Sequence, residues 1–180
     1  MKPQDFKEIK TPRMVLKPHV ATFDFAKVLF DIIDKNRDFF KYMPWSDVKN
    51  AEQEFDFLRD SEKGWKNKTK ANYAMFAKNE FVGCCSFFGI NWNNESGEIG
   101  YWLNPKFANQ GFMTEATSAI ADEFFNMGFQ RITILANPEN IASCRVAEKC
   151  GFTREGVMRS YDFLPAFKVR EDVALYAKVK

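Results

Sequence analysis

Histidine is almost missing from this chain, with His19 the single example among 180 residues. A zinc site would have to be assembled from scattered ligands, so no metal is expected. Cysteine is sparse too, and Cys84, Cys85, Cys144 and Cys150 include an adjacent pair but no C-x-x-C spacing. That pattern suits a reducing compartment better than a disulfide framework. No apolar run approaches the roughly 18–20 residues needed to cross a bilayer, and the opening segment Met1–Lys10 has no apolar stretch of the signal-peptide kind. A cytoplasmic protein without a membrane partner is the expectation. A surplus of charge is lacking as well: 26 Lys and Arg stand against 24 Asp and Glu, a formal net charge of +2. Affinity for nucleic acid rests on neutralising phosphates, so nucleic acid is not expected as a partner. Repeats, low-complexity tracts and Pro/Gly/Ser linkers do not occur.

What is present is an ordinary globular composition, 46% hydrophobic and 28% charged. The length fits one domain spanning residues 1–180, and folding at this size hides about 70% of the extended chain's surface. The compositional oddity is aromatic content, 16% of the chain with 20 Phe. Rings in such number build either a Phe-rich core or an aromatic-lined cleft or self-association surface, since large rings serve each purpose.

The order of elements follows from periodicity. Met14–Leu16 is a short apolar run bounded by Thr11-Pro12 and Pro18, the pattern of a strand. From Phe23, the residues Ala26, Leu29, Phe30 and Ile33 recur at helical steps and predict about three turns. Residues 50–68 repeat that pattern through Ala51, Phe55, Leu58 and Glu62, with Asn50 as N-cap and Gly64 weakening the far end. Then the period changes. Ala71–Ala77, Phe81–Ile90 and Glu98–Leu103 read as an antiparallel meander. Met113–Asn126 is helical, Ile132–Leu135 a strand, Ile141–Cys150 a helix closed by Gly151, and Val157–Phe163 and Val169–Tyr176 are final strands. A mixed central sheet with helices on its faces accommodates this α/β order.

The most informative segment runs from Gly100-Tyr101-Trp102-Leu103 through Asn104-Pro105-Lys106-Phe107-Ala108-Asn109-Gln110-Gly111 to Phe112-Met113-Thr114-Glu115-Ala116. It reads as strand, tight loop, helix. The first N–H groups of a helix lack intrahelical acceptors, and the aligned peptide dipoles make that end electropositive. Gly111 permits positive φ and carries no side chain, so main-chain N–H groups from Asn109 to Thr114 are candidates for holding a pyrophosphate. Taken alone, the glycine is better explained as a simple helix start, since isolated glycines are common punctuation. Asn140 and Ser143 lie three apart at the head of the next helix, where Asn140 is chemically sufficient as an N-cap.

On four blocks together the chain resembles the GNAT superfamily of acetyl-CoA-dependent N-acetyltransferases, and most of all its Rim-type branch. The blocks are Thr11-Pro12-Arg13-Met14-Val15-Leu16-Lys17-Pro18; Glu98–Leu103 running into Gln110–Ala116; Asn137-Pro138-Glu139-Asn140-Ile141-Ala142-Ser143; and Glu148-Lys149-Cys150-Gly151-Phe152. The resemblance implies a mostly antiparallel α+β sheet of about six or seven strands, acetyl-CoA as cosubstrate, and an amine acceptor. In the Rim-type branch that acceptor is a protein N-terminal amine, with relatives acting on polyamines or antibiotics. It further implies that Ala108, Asn109, Gln110, Gly111, Phe112, Met113 and Thr114 form the diphosphate loop. There Ala108 departs from the family, standing where a long Gln or Arg is usual. It also implies that the Leu103 backbone and the Asn140 amide bind the pantetheine arm, and that Ser143 lies beside the sulfur. For the base, the resemblance points to Asp162, where a Glu is commoner, with Glu98 as rival. For the acid returning a proton to the thiolate it points to Ser143, then Tyr161. Relatives are often homodimers. Two other classes compete with catalysis: a catalytically idle acyl-CoA-binding module, and an aromatic-rich receptor for a small ligand.

Overall fold

The computed structural model describes all residues, Met1–Lys180. Eight strands form one sheet: β1 (Ile9–Lys10), β2 (Val15–Pro18), β3 (Ala71–Ala77), β4 (Glu80–Asn91), β5 (Ser96–Leu103), β6 (Arg131–Ala136), β7 (Thr153–Leu164) and β8 (Val169–Val179). Their spatial order is β1-β2-β3-β4-β5-β6-β8-β7. Four helices accompany them: α1 (Phe23–Asp34), α2 (Ala51–Lys66), α3 (Phe112–Asn126) and α4 (Ile141–Lys149). The strand beyond the expected six or seven is β1. Its two residues are too few to show any alternation, and pairing with β2 alone defines it.

Local chemistry explains the helix boundaries. The Thr22 hydroxyl accepts from the N–H of Phe25 at 3.2 Å, and the Asn50 side chain accepts from the N–H of Gln53 at 3.1 Å. Gly64, expected to weaken α2, lies inside it, and the Lys70 side chain packs where a Cβ at that position would stand. The face of α2 turned inward also differs from the expected stripe. Glu54, Leu58 and Ser61 are buried, whereas Glu62 turns to the chain entering α1 and accepts from the N–H of Ala21 at 2.9 Å.

The main core lies between the sheet and α3–α4, where Phe87 stacks on Phe124 at 3.7 Å and packs edge-on against Phe129 at 5.0 Å. Much of the Phe surplus is spent there. On the opposite face Leu29 and Leu58 pack with Phe55, Phe81 and Trp102. Phe40 is buried against Trp102, with ring centroids 5.6 Å apart. Nearby Tyr42, Met43 and Trp45 line a cavity instead, so the aromatic segment before α2 serves both packing and cleft. No helix is long and apolar enough to cross a membrane.

One interruption organises the whole fold. β5 and β6 are the only adjacent parallel pair, matched over Ser96↔Arg131, Gly97↔Ile132 and Glu98↔Thr133. Beyond Glu98 they part, because β5 stays paired with β4 as far as Leu103 while β6 stays paired with β8 as far as Ala136. The sheet opens as a fork.

Candidate active site

The fork leaves a row of donors without a sheet partner. The N–H of Asn104 donates to the carbonyl of Val82 at 2.8 Å, and antiparallel pairs alternate, so the N–H groups of Leu103 and Tyr101 point away from β4 into the opening. Leu103 therefore offers the backbone donor expected of it.

Beyond Leu103 a short 3₁₀ turn, Pro105–Phe107, leads to α3. Ala108 still donates its N–H to Pro105 at 3.0 Å, and Glu115 begins the helix ladder by donating to Gly111 at 3.1 Å. Between them, none of the main-chain N–H groups from Asn109 to Thr114 finds an acceptor in the protein. Asn109 (φ 60°) and Gly111 (φ 79°) both adopt the left-handed conformation, which Asn tolerates and Gly takes freely. Gly111 occupies the N-cap position of α3 without a capping side chain, so the loop is open to an external anion. Arg13 braces it from the first hairpin: Nη1 donates to the Gln110 carbonyl at 2.8 Å, Nε meets Glu115 at 2.6 Å, and the guanidinium lies 4.5 Å from the centre of the Phe112 ring. Met113, at the last position of the loop motif, is buried in the core and anchors the helix start.

The other end of the fork opens into a cavity of about 770 Å³. Glu98, Ser143, Asn140, Tyr161 and Asp162 all line it, so five of the expected residues converge there. The loop residues 108–114 and Leu103 lie outside its lining, further along β5. The arrangement is a continuous one: loop, free strand edge, cavity.

Within the cavity Asn140 does cap α4, its Oδ1 accepting from the N–H of Ser143 at 3.2 Å. Its Nδ2 donates to nothing in the protein. Ser143 Oγ lies 3.2 Å from the hydroxyl of Tyr101, which also donates to the Ser143 carbonyl at 3.1 Å. Burial holds the Tyr101 phenol well above its ordinary pKa, so it stays protonated. Tyr101 was not among the expected acid–base residues. It sits in the strand that carried the resemblance, but nothing in a strand pattern tells which helix its hydroxyl will meet.

Glu98 occupies the last paired position before the fork and is half-buried. Burial, and after it the charge of Asp162, pushes its carboxyl up to about 7. Asp162 stands on β7 directly opposite Glu171 of β8, and Glu171 is bound by the side-chain amide of Asn137. Burial raises the Glu171 carboxyl too. Glu54 of α2, also in the lining, is raised to about 7 by burial alone. Tyr161 is exposed at the rim.

The unpartnered amide loop and the forked strand edge fit a long anionic thioester cofactor better than any compact ligand, and comparison with known proteins decides the matter. Residues 13–153 match the family described as Acetyltransferase (GNAT) domain. The chain belongs to the GNAT acetyltransferase family. It is 28% identical over 170 residues to the ribosomal-protein-serine acetyltransferase of Escherichia coli strain K12, covering 91% of this chain and 92% of that protein. An N-acetyltransferase of Bacillus licheniformis called p20, itself uncharacterised, is 31% identical over 129 residues, covering 68% and 70% of the two chains. Among solved structures, the ribosomal-protein alpha-N-acetyltransferase RimL in complex with coenzyme A aligns with a TM-score of 0.87 at 26% identity, over 96% of this chain and 98% of that one. The microcin self-immunity acetyltransferase MccE in complex with acetyl-CoA and AMP aligns with a TM-score of 0.86 at 28% identity, over 94% of both chains. This GNAT protein is an acetyl-CoA-dependent N-acetyltransferase, with the mixed, mostly antiparallel sheet of its family.

Proposed function

We propose that this acetyltransferase modifies a primary amine at a protein or peptide N-terminus, with Glu98 and Asp162 as the carboxylate pair and Ser143 as the hydroxyl acid. The observation that carries the reading is the convergence of Glu98, Asp162, Ser143 and Asn140 on the cavity where the fork begins. The ribosomal-protein acetyltransferases among its relatives support the choice of an N-terminal amine.

Acetyl-CoA supplies the activated acetyl thioester. The chain's residues supply the rest. Main-chain N–H groups from Asn109 to Thr114 hold the diphosphate, the Leu103 and Tyr101 N–H groups and Asn140 Nδ2 hold the arm, and the reacting end is delivered towards Glu98. An N-terminal ammonium has a pKa near 8, so moving its proton to a carboxylate at about 7 costs about 1.4 kcal/mol, against about 5 kcal/mol for an ordinary Glu. Glu98 is therefore assigned the proton, and Asp162 is assigned to raise its basicity and to attract the ammonium. At the other side, Ser143 Oγ passes a proton to the departing sulfur and is reprotonated by solvent water, to which Glu98 gives up the proton taken from the amine, while the Tyr101 hydroxyl, 3.2 Å away, orients Ser143.

Two measurements follow. Peptides with a free α-amine and a lysine should become acetylated at the α-nitrogen, as located by mass spectrometry of fragments; modification confined to lysine side chains would refute the N-terminal assignment. Ser143→Ala should lower kcat more than it raises the KM for acetyl-CoA, and a pure KM effect in steady-state kinetics would make Ser143 a binding residue.

A further inference from the structure

Glu54 has no part in the chemistry proposed above, yet it is the most unusual side chain in the cavity. It projects from α2 into the lining and is only 7% exposed. No hydrogen bond or ion pair in the protein satisfies its carboxylate, although burying an unpaired carboxylate is costly. The surroundings offer it no cation. Five acidic residues, Asp47, Glu54, Glu98, Asp162 and Glu171, line the cavity against one base, Lys70, whose Nζ is already paired with Asp60 outside it.

The position of Glu54 along the sheet separates it from the reaction. Leu58, one turn further along the same face of α2, packs in the cluster that includes Trp102 and Phe81, and Glu54 shares the cavity lining with Cys84 and Trp102, so this stretch of α2 lies over the Cys84–Trp102 pair. Cys84 pairs with Trp102, whereas Glu98 pairs with Phe88 further along the same two strands. Cys84 and Phe88 are four residues apart, so a ligand held at both ends would span on the order of 10 Å. Between them Ser86 stands opposite Gly100, and because Gly100 has no side chain the Phe88 ring lies across it, so a ligand joining the two ends would run over an aromatic floor.

Resting on the amine-acetylation reading, we propose that Glu54 binds a second cationic group of the acceptor, so that the preferred substrate is an amine carrying another ammonium or guanidinium on the order of 10 Å from the nitrogen that is acetylated. A carboxylate largely withdrawn from water pairs strongly with such a group, and the unpaired state is what the ligand relieves. The shared chemistry comes from two sources, a peptide whose second residue is basic or a free α,ω-diamine.

The test compares matched acceptors in the full-length enzyme with acetyl-CoA. One pair is a peptide with lysine at its second position against the same peptide with norleucine there. The other pair is a long α,ω-diaminoalkane against the alkylamine of equal length. The dicationic member of at least one pair should show a kcat/KM about tenfold or more above its partner, the scale of one buried charge-assisted contact. Which pair shows the larger ratio identifies the source. In Glu54→Gln the ratio should collapse towards one, and in Glu54→Asp part of it should survive. A ratio near one in the unsubstituted enzyme, with acetylated monocation produced, overturns the proposal and leaves the acetylation reading standing. A ratio that persists in Glu54→Gln overturns it equally. Failure of every acceptor to release CoA overturns both.

Discussion

Glu98→Gln is expected to lower acetyl transfer by about 10²–10⁴-fold at neutral pH while leaving acetyl-CoA binding nearly intact, the usual scale for loss of an acid–base group. The argument is positional first. Glu98 is the last residue of β5 paired to β6, so its side chain stands at the point where the sheet opens and where the free strand edge leads. The electrostatics agree: burial, then the charge of Asp162, carries its carboxyl up to about 7. A base must be unprotonated, so activity should fall as pH drops through this range. The sign of the Asp162 effect then follows. Asp162→Asn removes a like charge, so the Glu98 pKa must come down and the acid limb of the kcat/KM profile must move to lower pH. If Asp162 were itself the base, Asp162→Asn would lose activity to the same extent as Glu98→Gln and retain no titrating limb. Pre-equilibrated pH profiles of the two variants separate these cases.

Gly111→Val should weaken acetyl-CoA binding by about 10–10²-fold, measured by calorimetry. Gly111 sits at φ 79° and ψ 3° at the N-cap of α3. A left-handed backbone costs an L-residue roughly 1–2 kcal/mol, and more for a β-branched one. Relief of that strain turns the loop away from the arrangement in which the N–H groups of residues 109–114 point outward. Each charge-assisted hydrogen bond so lost is worth about 1.5–3 kcal/mol. Gly111→Ala should fall between, because its Cβ would meet only Arg13 Nη2 at 3.5 Å, an ordinary contact. Equal affinity across Gly, Ala and Val would show that the loop conformation does not govern binding. With Ala108 in place of a long polar residue, the diphosphate is left, in the proposed mode of binding, to the backbone donors of residues 109–114, while Arg13 braces the Gln110 carbonyl and Phe112 from outside the loop.

Much of this was legible in the sequence, and the physical reason is locality. Capping by Asn50 and Asn140, the helix start at Gly111 and the alternation in the meander are all set by residues within a turn or two of one another. The blocks carrying the family resemblance are likewise contiguous. What stayed hidden depends on contacts between distant segments. The fork arises because β5 follows β4 and β6 follows β8, a choice no single strand records. The bond between Tyr101 and Ser143 joins positions 42 residues apart. Glu54 was invisible for a different reason: at helical spacing from Leu58 and Ser61 it lies on the inward face, but a charged residue in an amphipathic pattern is read as solvated. Only the cavity beside it shows that inward does not mean packed.

The most direct measurement is amide NMR of the isotopically labelled protein during titration with coenzyme A, set beside titration with pantetheine, which lacks the diphosphate. The backbone N–H resonances of Asn109 to Thr114 should move with coenzyme A and stay in place with pantetheine, while those of Tyr101 and Leu103 respond to both. Resonances of residues 109–114 that remain unmoved by saturating coenzyme A would contradict the account.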